Sequence, residues 1–367
     1  VTARILAIET ATPPAVLSQE RARDVLLAQP GLSRLGSRLI ATAFDSSGID
    51  TRATVVESLV TGGDDELLEE GGRIRPASTG ERNALYARHA APLAVEAGGR
   101  ALAAAGVDPS EVTHVVTASC TGFVSPGPDL ALVQELGLRT GTARLHVGFM
   151  GCSAAFPALR TADAICRADP DAVVLIVCVE LCTLHLKATD DPEQIVAMSL
   201  FADGAAAAVV AARPATRRSL AIEGFLTGVL PDSIDEMRWT IGDGGFLMRL
   251  SSRVPGIIGR SIREAIAPLV PEGADAVGGW AVHPGGRSIV DHVQDALELP
   301  DAAMRHSRGV LADHGNMSSP TVLFVLRRLL AEQSDGSVCA MAFGPGLTLE
   351  AARLRVEPPS RADGEAA

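Results

Sequence analysis

Apolar residues along this chain change period at regular intervals, and the changes mark out alternating strands and helices. Residues 3–9 read as a first strand, followed by a turn at Pro13-Pro14 and a helical alternation of charged and apolar positions from Ser18. Residues 35–60 are mixed, and the polar, glycine-rich stretch 61–82 reads as a surface loop. An alanine-rich helical pattern covers 82–105 and stops at Gly106. Strands are expected over 112–119 and 205–212, with a short helix over 130–136 between them. The run 171–182 is continuously apolar and rich in Val and Ile, as in a central strand covered on both faces.

The second half repeats this grammar. Strands fall at 220–226, 279–283 and 338–343, and helices follow Val254-Pro-Gly256, Pro284-Gly-Gly286 and Gly315-Asn316. In the last of these Ser318 is a candidate cap and Pro320 lies near the first turn. The polar segment Arg213-Pro-Ala-Thr-Arg-Arg218 separates the halves, which places units at 1–213 and 219–355. Residues 356–367, made of Pro, Ala and charges, read as a disordered tail.

Composition narrows the function. In 367 residues the net charge is −12, which argues against nucleic acid or an anionic membrane as a partner. No basic segment followed by an apolar run opens the chain, and 172–179, the longest apolar run, is too short to span a bilayer. Six cysteines without an export signal fit reduced thiols in the cytoplasm. Cys178 and Cys182 flank Glu180, but no Cys or His pair has zinc spacing, so no metal site is expected.

One stretch carries candidate chemistry. In Arg144-Leu-His-Val-Gly-Phe-Met-Gly-Cys152 an alternating strand runs into Gly151, where a sharp turn is allowed, and an Ala- and Leu-rich helix follows from Ser153. Cys152 then sits at a helix N-terminus, where the positive end of the macrodipole favours a thiolate. Gly315-Asn316 precedes a proline-bearing helix in the same way. The echo indicates a duplicated α/β unit with two helix starts converging.

Met150-Gly-Cys152, Trp280-Ala-Val-His283-Pro-Gly-Gly286, Gly315-Asn316-Met-Ser-Ser319 and Gly344-Pro-Gly-Leu-Thr-Leu-Glu350 resemble, in order and over about 3–355, the chalcone synthase superfamily of type III polyketide synthases. The resemblance implies an α/β thiolase fold, two pseudo-symmetric halves in a five-layer αβαβα arrangement, and a homodimer. It assigns the nucleophilic cysteine to the first half and the His and Asn to the second. It implies an acyltransferase with catalytic Cys152, His283 and Asn316. Cys152 would carry the acyl chain, His283 would pair with its thiolate, and both His283 and Asn316 would donate to the enolate oxygen formed from malonyl-CoA. Substrates would be malonyl-CoA and acyl-CoA thioesters, with no permanently bound cofactor. Repeated Claisen condensation would end in cyclisation to a resorcinol, pyrone or polyhydroxyaromatic product.

The pocket positions depart from the plant pattern. Phe201 matches one gatekeeper, whereas Met248 replaces the second and Trp239 replaces a cavity glycine. Cys120, Cys182 and His185 stand where plant enzymes have threonines, and Cys120 resembles the second cavity cysteine of bacterial tetrahydroxynaphthalene synthases. Ser318 belongs to the same expected wall. Within 43–52 only Arg52 is basic, so the coenzyme phosphates would meet other arginines or the starter would arrive on an acyl carrier protein. The loop residue that reaches across the dimer falls near Ser125. Two alternatives remain at this point: a ketoacyl carrier-protein synthase III, and a noncatalytic thiolase-fold subunit.

Overall fold

The computed structural model describes residues 1–333 and 335–360. Among them, nine strands form one sheet whose two halves meet where Arg4 and Ile5 pair with Ala221 and Leu220. In the first half the spatial order is Ala143–Gly148, His114–Ser119, Val173–Leu181, Asp203–Ala211, Arg4–Ala11. The first two contacts are parallel and the next two antiparallel. The second half runs Gly279–Val282, Gly336–Gly344, Thr348–Glu357, Ser219–Val229 with one parallel and two antiparallel contacts. Order and direction match strand for strand, apart from the extra edge strand Ala143–Gly148. That is the pseudo-symmetry of the thiolase fold, and the chain has it.

Strand alternation divides the core into three apolar slabs. In Val173–Leu181, Leu175, Val177 and Val179 face one slab, while Val174, Ile176 and Cys178 face another. In Gly336–Gly344, Val338, Ala340 and Ala342 join that second slab, and Cys339, Met341 and Phe343 join a third. The second slab therefore lies between the two half-sheets, and it holds the helices Ala155–Ala168 and Thr321–Glu332. A helix buried between sheets is apolar nearly all round, as Val322 to Leu326 are. Thr79–Ala105 covers the first half on its outer face, and Val254–Ile266 with Arg287–Leu297 cover the second. These are five layers, α, β, α, β, α. The two central helices are those that follow Cys152 and Asn316, so the pseudo-symmetry brings both helix starts to one place.

Four expectations change. The stretch 61–82 is more ordered than a surface loop: Leu67, Leu68 and Ile74 are buried, and Thr79–Ala105 already begins there, under a capping box of Ser78 and Glu81. A two-stranded hairpin, Met237–Gly242 with Gly245–Leu250, was not expected from the sequence pattern. Ser318 does not cap a helix: Thr321–Glu332 starts three residues later without a side-chain cap, and Ser318 has φ +58°. The last strand, Thr348–Glu357, takes in two residues assigned to the tail, and Ser360 bonds the Ala215 carbonyl through its N–H and its hydroxyl. Residues 361–367 of that expected tail lie outside the described residues.

Candidate active site

The edge strand Ala143–Gly148 delivers Cys152 through a tight turn. Phe149 and Gly151 both have positive φ, +58° and +60°. A β-carbon at Gly151 would overlap the Pro345 ring, so the Gly344-Pro-Gly-Leu347 turn sits directly against the cysteine loop. Cys152 lies in the single 3-10 turn Gly151–Ser153, just ahead of the central helix Ala155–Ala168, and is 5% exposed. The position at a helix start is as read from the sequence.

Asn316 meets it from the other half. The Asn316 Oδ1 and Nδ2 atoms are each 3.9 Å from the Cys152 sulfur. The amide is held by two backbone contacts: Nδ2 donates to the Gly285 carbonyl at 3.3 Å, and the Ser318 N–H donates to Oδ1 at 2.8 Å. The left-handed turn at Ser318 serves this purpose. His283 closes the strand Gly279–Val282, with its N–H on the Met341 carbonyl at 2.8 Å. It is 1% exposed, and neither ring nitrogen has a hydrogen-bond partner among the described residues. Leaving a buried polar group unpaired costs about 1–3 kcal/mol. A site that tolerates this cost has a donor free for a ligand.

Burial decides the charges. It pushes the Cys152 thiol up to about 11, against hydrogen bonding from Ser318 and Asn316, and the charge of Glu180 adds to the rise. It pulls His283 down to about 3. Burial thus acts against both charges, that of the thiolate the sequence indicated at Cys152 and that of an imidazolium at His283.

Glu180 is a site residue that the sequence reading passed over. Its carboxylate, fully buried at the end of the central strand, accepts the Cys120 N–H at 2.9 Å and the Thr121 hydroxyl at 2.8 Å. From the second half, the Ser319 hydroxyl donates to its other oxygen at 2.7 Å. Burial raises it to about 7. A lone charge inside a nine-residue apolar strand was the available signal.

Around the thiol lies a cavity of ≈ 20 Å³ lined by Cys120, Cys152, Cys182, Phe201, Trp239, Met248 and Ser318 among others. Behind it is a second, apolar space of ≈ 50 Å³. Cys182, Phe201, Trp239 and Met248 line both and form the partition. Phe201 is placed by a parallel bridge to Asn316, and Trp239 pairs with Met248 across the hairpin. The Trp239 Nε1–H donates to the Cys120 carbonyl at 2.7 Å. The Cys120 sulfur accepts the Gly151 N–H at 3.1 Å, and burial holds this thiol well above its ordinary range.

His185 differs from expectation. It borders only the second space and stacks on Phe246 at 4.3 Å. One nitrogen contacts the Thr121 carbonyl at 2.8 Å, and the other accepts the Phe246 N–H at 3.1 Å. With both nitrogens occupied it fastens the hairpin to the Cys120 loop and has no polar contact left for a substrate. Arg52 is likewise committed: its guanidinium donates to the carbonyls of Met198 and Phe201 at 2.7 and 2.8 Å. It is buried and does not serve an external phosphate.

No group of three or more His, Cys, Asp or Glu side chains among the described residues could hold a metal ion. No described helix is long and apolar enough to cross a membrane.

Comparison with known proteins accounts for this arrangement. The family of chalcone and stilbene synthases matches with its N-terminal domain over residues 1–214 and with its C-terminal domain over residues 223–358. The chain is 33% identical over 357 residues to the alpha-pyrone synthesis polyketide synthase-like Pks18 of Mycobacterium tuberculosis, covering 94% of this chain and 88% of that protein. It is 35% identical over 285 residues to the 1,3,6,8-tetrahydroxynaphthalene synthase of Streptomyces griseus, covering 74% of each. The crystal structure of PKS-I from the brown alga Ectocarpus siliculosus superposes with a TM-score of 0.90 at 30% identity, over 97% of this chain and 98% of that one.

Proposed function

Because the chain belongs to the chalcone and stilbene synthase family and is a type III polyketide synthase of the acyltransferase class, we propose that it extends an acyl starter held on Cys152 with units from malonyl-CoA. The observation that carries this reading is the pairing of the Cys152 sulfur with the Asn316 amide, which is held by the Gly285 carbonyl two residues beyond a buried His283 whose ring nitrogens are unpartnered among the described residues. In loading, the Cys152 thiol passes its proton to His283 as the sulfur attacks the starter thioester, and the departing coenzyme thiolate takes that proton. In extension, malonyl-CoA loses CO2 and the electrons of the broken C–C bond become an enolate on the thioester oxygen. Neutral N–H donors from His283 and Asn316 stabilise that oxygen in a water-poor site. The enolate carbon then attacks the Cys152 thioester and expels the thiolate. Transfer of the lengthened chain back to Cys152 allows the next round, and cyclisation to a pyrone, resorcinol or polyhydroxyaromatic ends it. No bound cofactor enters the scheme.

The working unit is a homodimer on this reading. All positions of the edge strand Ala143–Gly148 are exposed except the half-buried Val147, and Phe123, Leu145 and Met150 present apolar surface beside it. Ser125 borders the same groove, together with Arg144 and His146. An unpaired edge next to apolar side chains is the kind of surface a second copy covers.

The test is Cys152→Ala. Intact-mass measurement should show no acyl adduct, while CO2 release from malonyl-CoA continues at a reduced rate. An acyl adduct on the variant would remove Cys152 as nucleophile. Absence of CO2 release by the wild-type protein at any pH would remove the condensing function altogether.

A further inference from the structure

The second space behind the thiol is walled mostly by apolar side chains, yet one buried donor on its wall has nothing to donate to. Leu17, Val25, Leu26 and Leu59 line this space but not the cavity at Cys152. Its other polar side chains are occupied. His185 has both nitrogens bonded, Gln194 donates its amide N–H to the Met248 carbonyl, and the Thr183 hydroxyl donates to Asp203 at 2.5 Å. Arg52 differs. It is 4% exposed, its Nη1 is spent on the Met198 and Phe201 carbonyls, and its Nε has no partner among the described residues. The guanidinium carbon lies 5.3 Å from the centroid of the Phe44 ring. Phe44, Met198 and Phe201 line the same space as Arg52, so the guanidinium itself, and not only its stem, borders it.

Charge decides which acceptor suits that N–H. Burial pulls the guanidinium down to about 10, and the charge of Asp203 opposes the pull. Asp203 compensates without a hydrogen bond to Arg52: its oxygens accept the N–H groups of Val55 and Thr183, both at 2.8 Å, besides the Thr183 hydroxyl. The countercharge is therefore present, and Nε lacks only an oxygen. A carboxylate would bring a further charge into the interior, which costs far more than burying a ketone or hydroxyl. Size limits the length of what enters. A water-sized group needs about 10–15 Å³ of such space. The ≈ 50 Å³ present thus takes about four such groups. Met248, unbranched and flexible, is the member of the partition that a chain would displace.

We infer that the second space selects a short acyl starter with a neutral oxygen on its tail, which accepts the free N–H of the buried Arg52 guanidinium. This rests on the function proposed above and adds the chemical class of the starter: an oxygenated short chain in preference to a plain alkyl or a dicarboxylic one.

The experiment follows acyl loading of the wild-type protein by intact mass, with starters of one shape at limiting concentration. These are 5-oxohexanoyl-CoA, 5-methylhexanoyl-CoA, in which a methyl group replaces the oxygen, and glutaryl-CoA, in which a carboxylate replaces the methyl ketone. A hydrogen bond from a charged donor should make the oxo starter load about 10- to 100-fold faster than its methyl isostere. Equal rates, or a faster methyl isostere, overturn the inference. Glutaryl-CoA should load more slowly than the oxo starter; faster loading means that the site takes a charge and overturns the neutral acceptor. Arg52→Met, shown to be folded by urea titration, should bring the oxo and methyl rates together, and a preference that survives overturns the role of Arg52. Should that variant not fold, Ala22→Leu decides the location. It projects the extra carbon atoms of leucine into the space from the helix Gln19–Leu27 and should slow both longer starters relative to acetyl-CoA. Unchanged ratios place the tail elsewhere and overturn the assignment of the space. Failure of every starter to load, acetyl-CoA included, would refute the condensing function itself, a result distinct from all of these.

Discussion

Trp239→Ala is the substitution with the largest consequence that the cavity walls allow. The indole stands between the ≈ 20 Å³ space at the thiol and the ≈ 50 Å³ space behind it, and it lies edge-on to His185 and Phe246 at 5.7 and 5.9 Å. Its removal should not collapse the site. His185 and Phe246 remain stacked on each other, and His185 keeps both hydrogen bonds to protein backbone. The two spaces would therefore merge. Because Trp239 is half-buried, the loss of stability belongs at the lower end of the ~3–5 kcal/mol seen for aromatic-to-alanine changes. The Cys120 carbonyl loses its indole partner, which adds ~1 kcal/mol. A total of ~4 kcal/mol is within the ~5–15 kcal/mol of a typical domain, so the variant should fold at 25 °C. Incubation with malonyl-CoA and a panel of acyl-CoA starters, read by mass spectrometry, should give longer products or admit bulkier starters. Urea unfolding measured in parallel would establish that the protein is folded. A folded variant with the wild-type product profile would refute the idea that Trp239 limits the cavity.

The other expectations are narrower. Asn316→Ala should lower the kcat of malonyl-CoA decarboxylation about 10²- to 10³-fold with little change in KM, and a loss confined to KM would make the amide a binding group only. Burial raises Glu180 to about 7, so the native protein holds that proton more tightly than the unfolded chain does. Stability should accordingly fall by about 3 kcal/mol as pH climbs from about 4.5 to 7; Glu180→Gln should flatten this limb in urea titrations, and an unchanged slope would contradict the assignment. Leu145→Arg, at a position 47% exposed on the edge strand, should leave the fold intact but yield monomers in light scattering, and a persistent dimer would move the interface elsewhere.

The fold was legible where local pattern and global packing agree. The run 171–182 announces a strand covered on both faces because both of its faces do meet apolar slabs. The repeated glycine, reactive residue and proline-bearing helix announced two converging helix starts, and the structure has them in its middle layer. The hairpin Met237–Leu250 was not legible, because it lies outside the main sheet and is held by side chains of other segments: Gln194 on the Met248 carbonyl, Thr79 on the Gly242 carbonyl, His185 on the Phe246 N–H. Such anchors have no local period to detect. The bonds that commit His185 and Arg52 were not legible for the same reason, since the chemistry of a side chain is visible in sequence and the partners that consume it are not.

The resting charge of Cys152 shows the limit most clearly. A helix terminus favours an adjacent anion by ~0.3–1 kcal/mol, up to ~2 kcal/mol in partly buried geometries, which corresponds to about one pKa unit. Burial acts in the opposite direction and takes the thiol from 9 to about 11, so it outweighs the helix. The same burial keeps His283 neutral. On the proposed function thiolate and imidazolium arise together by one proton transfer, and the neutral imidazole restored when the proton leaves is the form that can donate to an enolate oxygen without trapping it as a tight ion pair. Cys152 on this reading is already a neutral thioester when the carboxylate-bearing extender enters, so the extender meets only neutral donors in a dry pocket. Two half-reactions of opposite electrostatic demand in one cavity favour a site that is neutral between them.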